Sequence, residues 1–395
     1  MSEKKLLPKL RFNGFNDGWE STKIDEIAEI VGGGTPKTEV GEYWNGEIKW
    51  FTPSEIGKTK YIKDSERHIT EKGLKNSSAK LLPANTILLS SRATVGEISI
   101  ALTECSTNQG FQSLITKNNV DNEFVYYLIS TIKNEFIRRA SGSTFLEISK
   151  NEIKRIPITI PTLSEQKKIS NLFSAIDNKI ELLEEKHEYY QDFKKFLMQQ
   201  IFAQKLRFAD YSEYTLKQIS EKIENGFTGT QVSYETPFPV TRIETISSGK
   251  INYDKVGFVD EIPERYLLKE GDILLTNINS MKWIGNSVYY DGKKILYHGM
   301  NLMLLRSKNE INSKYLYYYI TYNNNWFKKM ACQAVNQASI NKSTLEKFIV
   351  KIPDIETQDN IANLLSFADE KIRETSNQVD LTMKFKKGLL QQMFV

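Results

Sequence analysis

The stretch "IPTLSEQKKISNLF" at residues 160–173 returns in altered form as "IPDIETQDNIANLL" at residues 352–365. A step of 192 positions takes Gln166 to Gln358, Ile169 to Ile361, Leu172 to Leu364, Asp177 to Asp369 and Lys179 to Lys371. The match then runs without a gap from "FKKFLMQQIF" (193–202) to "FKKGLLQQMF" (385–394). A likeness of this length is a duplication, and a repeat of this period decides the architecture before any shorter signal is read.

The duplication extends beyond these phrases. "IPITIP" (156–161) faces "FIVKIP" (348–353), "FVYYLIST" (124–131) resembles "YLYYYITY" (315–322), and "ILLSS" (87–91) resembles "ILLTN" (273–277). "KLRF" occurs at 9–12 and again at 205–208. The chain is therefore two related halves of about 192 residues.

Pro161 and Pro353 stop regular structure just upstream of each copy. Thr162 and Glu165 have the spacing of a capping box, and Asp354 is a good N-cap in the second copy, with Thr357 where the glutamate was. From there Ile169, Phe173, Ile176, Ile180, Leu183 and Leu197 fall on one stripe whose positions step by four and three, as do Ile361, Leu365, Ile372 and Leu389. Neither run contains Gly or Pro except Gly388, so each reads as one helix of about 40 residues, roughly 60 Å long. A helix of that length outruns its own domain, and the equivalent seam is the other copy. The expectation is an antiparallel coiled coil relating the halves by a pseudo-two-fold axis. His187, Lys194, Thr375 and Thr382 are polar positions in that seam that fix its register.

The remaining segments read as mixed α/β. Each opens with an amphipathic helix ("STKIDEIAEIV", "TLKQISEKIE"), passes through short β-branched and aromatic runs, and closes on a helix. The expected division is a first domain at 1–161, a first long helical region at 162–208, a second domain at 209–353 and a second helical region at 354–395.

The 395 residues, 40% of them hydrophobic and 11% aromatic, suit a globular chain of two or more domains. Two cysteines in different halves and three scattered histidines give no disulfide framework and no zinc spacing. No charged leader precedes an apolar run and no apolar stretch reaches about 18 residues, so a soluble cytoplasmic protein without a membrane span is expected. A net charge of +4 permits nucleic-acid binding without demanding it. "GGGTPKT" (32–38) lacks the glycine spacing of a phosphate-binding loop, and no dinucleotide, hydrolase or amino-methyltransferase motif occurs. No catalytic, cofactor or metal site is expected in the chain.

Polar loops between the strands carry the candidate DNA contacts, because Arg, Lys, Asn, Gln, Ser and Thr read base edges and grip phosphates. In the first half these are Thr35, Lys37, Thr52, Ser54, Ser90, Ser91, Arg92, Thr107, Asn108, Gln109, Thr144 and Lys150. In the second they are Thr228, Thr230, Gln231, Arg242, Asn277, Asn279, Lys282, Trp283, Asn336, Gln337 and Lys342. Each taken singly is also an ordinary turn residue.

"GSTFLEISKNEIKRIPITIPTLSEQKKISNLFSAIDNKI" resembles the junction of recognition domain and spacer helix in specificity subunits of type I restriction-modification systems. "GGGTPKTEVGEYWNGEIKWFTPSEI", "ITEKGLKNSSAKLLPANTILLSSRATVGEISIA" and "CSTNQGFQSLI" look like a widespread form of their target-recognition domain. The resemblance implies a non-catalytic subunit in which each domain reads one half of an asymmetric bipartite site in double-stranded DNA. It implies that the helices set the spacing and dock two adenine-N6 methyltransferase subunits, which would bind S-adenosylmethionine. Two restriction and translocation subunits can join such a complex. The second helix departs from the family phrase at "DIETQDN", so its docking surface is expected to be the less ideal of the two. The alternative open at this point is a coiled-coil scaffold that joins proteins without reading DNA.

Overall fold

A computed structural model describes residues 6–142, 146–246, 249–334 and 337–395. The contacts divide the chain into a first unit, residues 1–183 with 377–395, and a second unit, residues 184–376.

Two long helices carry the duplicated phrases, Leu163–Phe202 and Ile355–Met393. The first ends in a Schellman motif: Gln204 adopts φ 56°, its N–H reaches the Ile201 carbonyl at 3.0 Å and the Lys205 N–H reaches Gln200 at 2.9 Å. Within each unit the helices run antiparallel, as expected. In the first, Asp177 Oδ1 meets Lys386 Nζ at 2.5 Å and Phe173 lies against Phe394; in the second, Lys194 Nζ meets Asp369 Oδ1 at 2.7 Å. His187 Nδ1 sits 3.1 Å from both the Ile372 carbonyl and Thr375 Oγ1. The polar seam residues are thus satisfied across the seam or by the preceding turn, where Thr382 donates to the Gln378 carbonyl at 2.7 Å.

The ends of the seam do more than pair helices. Ile169, Phe173 and Ile176 are buried with Trp19, Phe124, Tyr127, Met393 and Phe394 in the core of the first unit. Leu197, Ile201, Phe202, Ile361 and Leu365 do the same with Tyr315, Tyr319 and Phe348 in the second. Ile180 and Leu389 are partly buried against the first core. Leu183 and Ile372 are half-buried.

In the first unit a five-stranded sheet has the order Ala28–Gly32, Gln112–Thr116, Ile87–Leu89, Ile98–Ala101, Tyr61–Ile62, antiparallel except for its last pair. In the second the order is Ser220–Asn225, Leu302–Ser307, Ile273–Thr276, Ser287–Tyr289, antiparallel throughout. Short ribbons join each sheet to its helix, Glu20–Lys23 with Pro157–Ile160 and Ser212–Thr215 with Ile349–Ile352.

Three expectations are corrected. "STKIDEIAEIV" is not a helix but strand, one turn at Ile24–Ile27, and strand; "TLKQISEKIE" likewise makes one turn at Leu216–Ile219. Ile24, Ile27 and Ile30 are spaced by three and imitate a helix face, but Ala28–Gly32 satisfies its backbone by pairing with Gln112–Thr116. Glu165 does not close a capping box, because both its oxygens accept from Arg11, at 2.7 Å each. Thr357 turns instead onto its own cap, its N–H and hydroxyl both donating to Asp354 at 2.9 Å.

Gln166 and Gln358 now have a common role. Gln166 accepts the Asp121 N–H at 2.9 Å and donates to the Pro161 carbonyl at 2.8 Å; Gln358 accepts the Asn312 N–H and donates to the Pro353 carbonyl, both at 3.0 Å. Further along each helix, Tyr127 donates to Asp177 at 2.6 Å and Tyr318 to Asp369 at 2.7 Å. Burial first, with the carboxylates adding to it, pushes both tyrosine hydroxyls far up, so they remain donors.

In the first unit a lysine closes this junction. Lys60 donates to Glu123 at 3.0 Å, Tyr127 at 2.8 Å and Ser174 at 2.9 Å, and lies over the rings of Tyr61 and Tyr127. Tyr61 and Ser174 also donate to Glu123. In the second unit Lys314 stands in the place of Glu123, and Asn252 precedes Tyr253 as Lys60 precedes Tyr61. There Tyr253, Tyr289, Tyr317, Tyr318, Ser366 and Asp369 line an open cleft of about 530 Å³.

Candidate nucleic-acid interface

In the first unit five loops are stitched to one another by backbone hydrogen bonds. The Gly34 N–H reaches the Thr107 carbonyl at 2.8 Å, Asn108 N–H the Phe51 carbonyl at 3.1 Å, Ser91 N–H the Gly110 carbonyl at 2.8 Å, and Ile148 N–H the Ser91 carbonyl at 3.0 Å. These bonds bring together the segments around 33–38, 51–55, 90–94, 107–110 and 146–150. "GGGTPKT" is one of them, and its glycines answer to close approach. A Cβ on Gly33 would lie 2.1 Å from the Asn108 carbonyl oxygen, so no side chain fits. Two indoles pin this loop: Trp50 Nε1 donates to the Gly34 carbonyl at 2.9 Å and Trp44 Nε1 to the Lys37 carbonyl at 3.2 Å.

The predicted residues separate by exposure. Ser90, Ser91 and Thr107 are buried, and Ser90 donates to the Arg92 carbonyl at 2.7 Å, so these three hold the loop rather than face a ligand. Thr52 is a cap, its N–H and hydroxyl both donating to Glu55, at 2.6 and 2.7 Å. Lys37, Ser54, Gln109 and Lys150 are exposed. Thr35 is half-buried and its hydroxyl donates to Gln109, while Asn108 Oδ1 accepts the Gly110 N–H at 2.8 Å. Arg92 is half-exposed, with Nε 2.8 Å from Glu147 Oε1 but its N–H not aimed along that contact. Thr144 lies outside the described residues. Arg67 was missed by sequence reasoning. Its guanidinium lies 3.7 Å over Trp44, the indole that holds the Lys37 carbonyl, a pairing between distant residues that no local pattern announces.

The second unit repeats the scheme with different side chains. Ile340 N–H reaches the Asn277 carbonyl at 2.8 Å, the counterpart of Ile148 on Ser91. Asn277 itself is buried, its Nδ2 3.4 Å from Asn225 Oδ1, and is withdrawn from the surface set for the same reason as Ser91. Arg242 Nε donates to Gln231 Oε1, and Lys282 Nζ lies 4.8 Å over the half-buried Trp283. Thr228, Thr230 and Lys342 are exposed, the last with Glu346 at 3.9 Å; Asn279 caps its own turn through Ser280 N–H at 2.7 Å. Asn336 lies outside the described residues, as does the side chain of Gln337, whose backbone pairs with Ala334.

His298 supports this loop set from beneath: its carbonyl accepts the Phe227 N–H at 2.9 Å and its Nε2 lies 3.0 Å from the Leu302 carbonyl. Burial lowers its pKa from 6.5 to about 4. The unfolded chain therefore takes up this proton first on acidification. Stability is complete above about pH 6.5 and falls towards pH 4, by about 3 kcal/mol. Thermal melts across that window will show the loss in the wild type and a shallower slope in His298→Asn; parallel slopes would refute the assignment.

Among the described residues no group of His, Cys, Asp and Glu could hold a metal ion, and no helix is long and apolar enough to cross a membrane. What remains at the stitched loops is a set of cations and amides on a rigid backbone, the chemistry of phosphate and base-edge contact.

A family model described as the type I restriction modification DNA specificity domain matches residues 16–189 and again residues 209–380. The MjaIX type I restriction enzyme specificity subunit of Methanocaldococcus jannaschii is 28% identical over 405 residues, covering 95% of this chain and 92% of the relative. The putative MjaX specificity subunit of the same organism is 42% identical over 193 residues, 47% of this chain and 45% of the relative. The crystal structure of a type I S subunit from M. genitalium shares the fold, with TM-score 0.64 and 19% identity over 99% of both chains.

Proposed function

Since the chain belongs to the type I restriction-modification specificity-subunit family, we propose that its two stitched loop sets each read one half of an asymmetric bipartite DNA site. Family membership makes this a non-catalytic sequence-recognition subunit working with DNA and a methyltransferase, and the scaffold alternative falls with it. The finer reading assigns residues 1–161 and 209–353 as recognition domains and 162–208 and 354–395 as the helices that space them. Those helices dock two adenine-N6 methyltransferase subunits carrying S-adenosylmethionine. Two restriction subunits can complete the complex.

The observation that carries the reading is a shared frame with unlike side chains. Ile148 on Ser91 and Ile340 on Asn277 are the same backbone bond, but beside them Arg92 pairs with Glu147 in one unit and Ile278 with Ser339 in the other. Equal frames would bring equal backbone contacts to DNA; unequal side chains would read unequal sequences.

Arg92→Ala is expected to lower methylation of the cognate site about tenfold or more, the scale of one lost bidentate contact. Subunit assembly stays intact, because Arg92 lies off the helices. Methylation rates on cognate DNA beside sizing of the complex test this, and unchanged methylation removes Arg92 from the interface.

A further inference from the structure

Numbering the buried seam as heptad positions a and d, the residues at c and g lie to one side of each helix. In the second unit these are Tyr189, Phe193 and Phe196 of the first long helix and Leu364 and Phe367 of the second. All five are exposed, Tyr189 by 64%, Phe196 by 52% and Phe367 by 57%, and Tyr189 stacks on Phe193 at 6.1 Å. The two helices pair antiparallel through this seam, as His187 on Thr375 and Lys194 on Asp369 mark, and antiparallel pairing sets the c and g rows of both helices on the same side. The recognition domain uses other positions, Ser366, Asp369, Glu370 and Arg373, which line its cleft. The stripe is thus a free apolar face on a two-helix layer.

In the first unit the 192-residue step converts this stripe to Leu381, Phe385, Gly388, Leu172 and Ala175. Phe196 has become Gly388 and Phe367 has become Ala175. Leu172 is already packed on the first core, and the one gain is Leu182 in place of Glu374. Thr357 does not enter this difference, being engaged in the cap of its helix.

We propose that the second unit's stripe is the stronger of two docking faces for the methyltransferase, so that the first copy binds there and the second follows on the weaker face. The occupant fits as a pair of amphipathic helices that completes a four-helix layer, with an acidic residue towards Lys186, since Lys371 is already paired with Glu374 at 2.8 Å. Two related faces suit two copies of one different partner, whereas a second copy of this chain would set the stronger face against itself and close a dimer, which the titration below detects. Aromatic anchors dominate such contacts, and Phe196 and Phe367 are present on one face only.

This inference rests on the reading of the helices as the docking element, and the test separates the two. Full-length chain is titrated with its cognate methyltransferase subunit and followed by native mass spectrometry and sedimentation. The expected result is a 1:1 complex formed about tenfold or more tighter than the 2:1 complex. Phe196→Glu with Phe367→Glu abolishes the tight step and leaves the weak one. Ala175→Phe with Gly388→Phe strengthens the second step; Ala175 is exposed and a Cβ on Gly388 meets nothing within 4 Å, so folding is not at stake. Equal steps, or swaps without effect, overturn the inequality alone. Absence of any methyltransferase binding overturns the docking reading, and concentration-dependent dimers of the chain alone, lost on Phe196→Glu, would assign the face to self-association instead.

Discussion

Replacing Gln166 with glutamate is expected to destabilise the first unit by about 3 kcal/mol or more. The side chain is 2% exposed and makes two bonds of opposite polarity, accepting from Asp121 N–H and donating to the Pro161 carbonyl. Only an amide does both. A carboxylate would keep the first bond, set an oxygen against the Pro161 oxygen, and bury a charge beside Glu165, whose partner Arg11 is already fully engaged. Gln166→Met keeps the volume and leaves two polar groups unpaired, so a smaller loss of about 2 kcal/mol is expected. Urea denaturation of both variants measures the difference, and a glutamate variant as stable as the wild type would show that the amide is not the anchor. Gln358 carries the same pair of bonds in the second unit and should respond alike.

The second large effect concerns spacing. Adding four residues after Leu183 and four more after Thr375 lengthens each helix by about one turn, roughly 6 Å. Inserting in both keeps the pairs Asp177 with Lys386 and Lys194 with Asp369 in register, whereas one insertion would slide one pair off the other. With base pairs about 3.4 Å apart, the unspecified gap between half-sites should widen by about one or two base pairs, with the bases read in each half-site unchanged. Sequencing of methylated sites in a host expressing the variant with its methyltransferase reads this directly. An unaltered gap would mean that the helices do not act as the ruler.

The repeat, both long helices and their antiparallel pairing were legible because they rest on periodicity, which is local and survives divergence. The opening segments were misread for a related reason: isoleucines at 24, 27 and 30 carry a helical spacing, and only a partner strand about 80 residues away decides otherwise. The candidate site was legible as a set of loops but not as a set of side chains. Ser91 and Ser54 are the same residue type in similar polar company, yet one is buried and the other exposed, because backbone bonds to Gly110 and Ile148 draw the first inwards. Arg67 escaped because its stacking partner Trp44 is brought to it by strand pairing rather than by sequence neighbourhood.

The different closures of the two junctions bear on transplantation. A foreign recognition domain grafted into the second unit needs a tyrosine to meet Asp369 and a helix N-terminus to offer its N–H to Gln358. One grafted into the first must also bring a lysine and a glutamate in the places of Lys60 and Glu123, or leave Ser174 and Tyr127 facing an empty space. The two sockets therefore make different demands, and a lineage that changes its DNA target by exchanging domains would need a set of junction residues matched to the position it enters.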